Sequence, residues 1–178
     1  MWLKGGCLHG DLTEDMRAQI AKGQVLVVVG AGVFMGSSGN SPEASWTGLL
    51  LHGSKRATHV NPALHLDFEN LVNGLINTGD IAMLLSAAGL VTHALGGRRG
   101  GEYRRWLQDT VGSLRATDRS VLEALAGLGV PLATTNYDNL LEEVTSLPPV
   151  TWKDGAKVQE VLRGERDAIL HLHGYFDD

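Results

Sequence analysis

One cysteine, Cys7, stands in a chain of 178 residues. A lone thiol excludes a disulfide within the chain and a four-cysteine zinc site built from it alone, and it fits a reducing compartment. Long apolar runs are missing too. No stretch approaches the roughly 20 residues that cross a bilayer as a helix, and Met1-Trp-Leu-Lys-Gly-Gly6 has no signal-peptide core. The expectation is a cytoplasmic protein with no membrane partner. Positive charge is in deficit: 15 Lys and Arg stand against 20 Asp and Glu, a formal net charge of −5. That balance argues against nucleic acid as a partner, which needs a basic face. The one short basic cluster, Arg98-Arg99, sits between Gly96-Gly97 and Gly100-Gly101 and reads as a solvated loop.

What remains is an ordinary globular composition, 43% hydrophobic and 20% charged. The length suits one domain with a real core, or one and an incomplete second. The chain is organised around Val25-Leu-Val-Val-Val-Gly-Ala-Gly-Val33. Five apolar residues, four of them valine, run straight into Gly30-Ala31-Gly32. Such a run fits a strand of a parallel sheet buried on both faces. Glycines just past it let the backbone turn sharply and approach a ligand. A helix beginning there would favour a phosphate at its N-terminal amides. The bland alternative is a tight turn that packs a helix on a sheet.

Residues 1–23 form an N-terminal segment and a short helix from Thr13, which can cap it, to Gly23, which can end it. Residues 24–178 form the main domain. A polar loop over 36–45 leads to a short helix at Trp46-Thr-Gly-Leu-Leu-Leu51. From about 60 to 128 the period is helical. Phe68, Leu71, Val72, Leu75 and Ile76 make one stripe, and Asp80 caps the next helix. Tyr103 and Trp106 belong to a third, where helical spacing reads as core. Val130-Pro-Leu-Ala133 is the next strand and ends in Thr134-Thr-Asn-Tyr-Asp138. Ser146-Leu-Pro-Pro149 breaks the short helix that follows, another helix lies near 155–163, and Ala168-Ile-Leu-His-Leu172 is a third strand, running into His173-Gly174.

Three strand ends thus share one character: an apolar run closes in a polar or glycine-rich segment. In open parallel sheets, ligands bind outside the carboxyl ends of the strands. Residues distant in the chain therefore converge on one cleft.

Gly30-Ala31-Gly32, Thr135-Asn136-Tyr-Asp138 and His173-Gly174 resemble, in kind and order, the three motifs of the sirtuin (silent-information-regulator) superfamily. The helical block between the first two motifs is similar as well. The chain is most similar to the bacterial sirtuin-like domains that hydrolyse NAD in anti-phage defence, in which Trp and paired leucines, as in Trp46-Thr-Gly-Leu-Leu50, often follow the glycine turn. The likeness spans about residues 24–176. It implies an α/β fold: a Rossmann-like parallel sheet with flanking helices and an inserted all-helical module.

The resemblance also implies the roles. Gly30, Ala31 and Gly32, with Val33, cradle the pyrophosphate of NAD. Asn136 holds the nicotinamide ribose and the attacking water, and Thr135 beside it belongs to the NAD-binding set. Asp138 meets the carboxamide. His173 acts near the ribose hydroxyls as a general base or polariser. NAD is the substrate, and no metal is expected. Physical reasoning agrees: an asparagine amide offers donor and acceptor together, and histidine exchanges protons near neutrality.

Plain readings stand beside these. Asn136 suits a turn, and Asp138 suits a helix cap. His171 shares a strand face with His173 and reads as structural; a metal site there lacks a third ligand. His9, His52, His59, His65 and His93 read as surface or core residues. Two departures from the family pattern stand out. Phe34 replaces the serine that usually follows the glycine turn. The strands expected after Gly174, which hold the adenosine half of NAD, are not in the chain, so the sheet is expected to be incomplete and finished by a longer chain or a homo-oligomer. An NAD-dependent protein deacylase, with its acyl-lysine tunnel and zinc ribbon, and a non-catalytic NAD- or ADP-ribose-binding scaffold are the alternatives. A dinucleotide dehydrogenase lacks its acidic residue at the end of a second strand.

Overall fold

The structure, a computed structural model, describes residues 9–177. Residues 1–8, Cys7 among them, lie outside the described residues. Four strands form one all-parallel sheet: β1 (Val27–Val29), β2 (Leu132–Thr134), β3 (Pro149–Thr151) and β4 (Ile169–His171). Their spatial order is β1-β2-β4-β3, so the chain passes over one position after β2 and returns to fill it with β4. The register sets Val29 beside Thr134, Thr134 beside His171, and Thr151 beside His171. The four carboxyl ends are therefore level.

Nine helices accompany the sheet among the described residues. They are α1 (His9–Ala21), α2 (Ala31–Ser37), α3 (Trp46–Val60), α4 (His65–Asn77), α5 (Ile81–Ala94), α6 (Gly101–Asp109), α7 (Ser120–Ala126), α8 (Leu140–Thr145) and α9 (Gly155–Leu162). The molecule is an α/β protein, and α2 to α7 all fall between β1 and β2 in the chain. No helix among the described residues is long and apolar enough to cross a membrane.

Local chemistry explains many of the helix ends. Asp80 starts α5 by accepting from the Ala82 amide at 2.6 Å, as its sequence position suggests. Ser45 does the same for α3, accepting from Gly48 at 3.0 Å. Gly23, at φ +66°, follows α1 as expected. Thr13 does not cap α1, because the helix begins at His9 and takes Gly10 and Asp11 into its first turn.

The fourth strand was hidden in sequence. Pro148-Pro149 reads as a breaker, yet Pro149 is the first residue of β3, which pairs only with β4. At the start of an edge strand a missing N–H is tolerated.

The two sheet faces are covered unequally. Val29, Leu132 and Ile169 join the main core, with Phe34 of α2, Leu122 of α7 and Leu140 of α8. On the other face Ala133, Val150 and Leu170 pack with Val161 of α9. Val28 shares that face by register with Ala133 but is 54% exposed. The expectation that the valine strand is buried on both faces is therefore corrected: α9 packs over β3 and leaves Val28 open.

Among the helices between β1 and β2, α3 packs on both α4 and α5. Gly53 permits that approach: a Cβ there would lie 2.6 Å from Val91 of α5 and 2.7 Å from Trp106 of α6. Trp106 is core, as expected, and its Nε1 donates to His52 Nδ1 at 3.1 Å.

Candidate active site at the carboxyl ends of the strands

β1 gives way to the elbow at Gly30, which is extended (φ −120°, ψ −177°) and leads directly into α2. Phe34 anchors that short helix; its side chain is 1% exposed and sits in the main core. Burying a phenylalanine contributes about 1.5–3 kcal/mol. Phe34 thus serves packing, and its side chain does not face the elbow's surface. Nothing lies within 4 Å of where a Cβ of Gly32 would be, so the backbone there is open to a ligand. Ala31 and Val33 are half-buried. The Thr135 amide donates to the Val29 carbonyl at 3.3 Å, which holds the elbow and the end of β2 abreast. Gly30 faces the Thr135 hydroxyl, with 3.8 Å between that oxygen and an imagined Cβ.

The segment after β2 is a chain of short-range bonds. The Thr134 hydroxyl accepts from the Asn136 amide at 3.0 Å. Asn136 Nδ2 donates to Asp138 Oδ2 at 3.2 Å, and Asp138 Oδ1 accepts from the Leu140 amide at 3.1 Å. Asp138 is buried, and loss of hydration pushes its carboxyl up to about 6 against the pull of those two bonds. Asp138 therefore does what a helix-start residue does and also orients Asn136. Both its oxygens are engaged within the protein. The Asn136 side-chain oxygen carries no bond to the described residues and is available to a hydroxyl or a water.

His171 lies behind this segment. Its Nδ1 is 3.0 Å from the Asn136 carbonyl oxygen and its Nε2 is 2.7 Å from Glu142 Oε1 on α8. Each ring nitrogen thus faces an oxygen, one from the backbone and one from a side chain. Glu142 Oε2 and Asn139 Oδ1 are buried without a partner. Tyr175 closes the group with its ring 4.8 Å from that of His171, edge to face, and burial first of all pushes its phenol up to about 12.

His171 is thus structural, as read from the sequence, but it belongs to a buried polar pair that the sequence did not reveal. In sequence Glu142 is one of two adjacent acids on a short helix, and nothing local marks it as the partner of a histidine 29 positions on.

His173 is exposed and lines a hollow of about 400 Å³ with Tyr137 and Tyr175. Asn136 lines a crevice of about 10 Å³ with Trp46 and the same Tyr137. The Phe176 amide donates to the Tyr137 carbonyl at 3.0 Å and ties the two loops together. Gly30, Asn136 and His173 therefore come to one end of the sheet from β1, β2 and β4, and Tyr137 stands between the latter two. Among the described residues no cluster of three or more His, Cys, Asp or Glu is placed to hold a metal ion. No protein-family model matches the chain, and no curated protein is significantly similar to it.

Proposed function

We propose that the chain is an NAD glycohydrolase of sirtuin-like type, cleaving NAD to nicotinamide and ADP-ribose. The observation that carries this reading is the level register of β1, β2 and β4, which brings the Gly30 elbow, Asn136 and His173 to the same end of one parallel sheet. In the reaction the bond between ribose C1′ and the pyridinium nitrogen breaks and nicotinamide leaves with the bonding pair. Water adds to C1′, and its proton passes to His173 and then to solvent. Asn136 Oδ1 holds the water or a ribose hydroxyl, with its amide group fixed by Asp138. The backbone of Gly30, Ala31, Gly32 and Val33 lies along the pyrophosphate, where the absence of a side chain at Gly32 leaves room. Thr135 borders the same edge.

Within this reading the fold is Rossmann-like and α4 to α7 are a helical module set between two strands. The protein works in the cytoplasm as a defence effector, in assembly with copies of itself. Replacing Asn136 or His173 by Ala abolishes nicotinamide release while the circular dichroism spectrum is unchanged. Undiminished turnover in both variants refutes the assignment.

A second reading, a non-catalytic scaffold that binds NAD or ADP-ribose, draws on the crevice at Asn136. At about 10 Å³ it holds no more than a water molecule, so a ribose enters only if Trp46 or Tyr137 moves. Calorimetric binding of ADP-ribose without any turnover of NAD selects that reading.

A further inference from the structure

The hollow that His173 faces has a charge pattern opposite to that of the chain. Arg98, Arg99, Arg104 and Lys153 all border it, and no Asp or Glu stands among the described residues that line it. Four of the chain's 15 Lys and Arg thus gather at one cavity of about 400 Å³ in a protein of net charge −5. Arg56, Arg105, Arg119, Arg163 and Arg166 each pair with a carboxylate. Arg98, Arg99 and Arg104 pair with none among the described residues. Unpaired cations in a concave site focus positive potential, and the guanidinium fork matches phosphate oxygens. The loop that reads as merely solvated in sequence, Arg98-Arg99, is one wall of this hollow.

The other walls are aromatic. Trp152 follows β3 and is 60% exposed at the rim, and Tyr137 and Tyr175 line the interior. A flat exposed indole beside arginines suits a heterocycle attached to phosphates. The volume falls in the range of small-molecule sites, roughly 300–1,000 Å³. We propose that this hollow binds a nucleoside di- or triphosphate, its phosphates on Arg98, Arg99 and Arg104 and its base against Trp152. The Gly30 elbow is not part of this lining, His173 is common to the hollow and to the proposed site of hydrolysis, and the proposal rests on the hollow's own cations and aromatics.

Calorimetric titration of the full chain with ADP and with inorganic pyrophosphate at low salt tests this. Both ligands bind, and Arg98→Glu combined with Arg104→Glu weakens both by about tenfold or more. Arg98→Ala with Arg104→Ala weakens both in the same direction and serves if charge reversal disturbs folding. Trp152→Ala weakens ADP and spares pyrophosphate. Arg17→Glu on α1 leaves both affinities unchanged. The proposal is overturned if neither ligand binds at millimolar concentration, if affinity follows Arg17→Glu and not the arginine pair, or if Trp152→Ala leaves ADP binding untouched.

Discussion

Glu142 and His171 meet at 2.7 Å beneath the carboxyl ends of β2 and β4, with the imidazole fully buried. The other ring nitrogen reaches the carbonyl of Asn136, so one buried histidine fixes the backbone of the residue assigned to hold water. Truncating either partner leaves the other unsatisfied in a dry place. Glu142→Ala and His171→Ala are each expected to cost about 3 kcal/mol. The joint replacement Glu142→Leu with His171→Phe costs less than the sum of the two truncations. Urea denaturation of the variants measures this; strictly additive costs contradict the pairing.

Asp138 makes stability fall as the solution becomes less acid. Its carboxyl stands at about 6 in the folded protein, above the ordinary 3.8, because burial penalises the charged form. The folded state therefore binds more proton than the unfolded state between those two values. The stabilisation is complete below about pH 4 and is lost as pH rises through about 6, a change of about 3 kcal/mol. Glu43, Asp118 and Asp154 are shifted down and act in the opposite sense at lower pH. The clean reading is the difference between wild type and Asp138→Asn. That difference in unfolding free energy changes between pH 4 and 7 in the stated direction; a flat difference contradicts the burial.

Two helical glycines separate packing from propensity. Gly53→Ala forces a methyl against Val91 and Trp106 and destabilises by about 1–3 kcal/mol. Gly74→Ala on α4 meets open space and stabilises by about 0.5–1 kcal/mol. Thermal melts of the two variants move in opposite directions.

The uneven sheet faces are tested within one strand. Val29→Ala costs about 2 kcal/mol because its side chain lies in the main core. Val28→Thr, on the open face, changes stability by no more than about 0.5 kcal/mol. Equal losses at both positions contradict the exposure of Val28.

Much of the fold was legible because its causes are local. The valine run, the apolar run at 168–172 and the Asp80 cap are short-range patterns with a direct physical meaning. The coverage of Val28 was not legible, because a continuous apolar run carries no alternation and the position of α9 decides which part of the face is covered. β3 was masked by two prolines whose tolerance depends on pairing at the sheet edge. The site divides in the same way. The strand ends announced Gly30, Asn136 and His173 by their polarity after apolar runs. The pair of His171 and Glu142 spans 29 positions and is assembled only when β4 takes its place beside β2. The cationic hollow joins the loop after α5, α6 and the ends of β3 and β4, none of which hints at the others in sequence.

Hydrolysis of NAD without a second substrate is the activity proposed for the chain. Chromatographic analysis of NAD incubated with the purified protein, with and without an acetyl-lysine peptide, addresses it directly. Nicotinamide and ADP-ribose appearing in equal amounts at a rate the peptide does not change is the expected result. Intact NAD after prolonged incubation, or nicotinamide release that depends on the peptide, contradicts it.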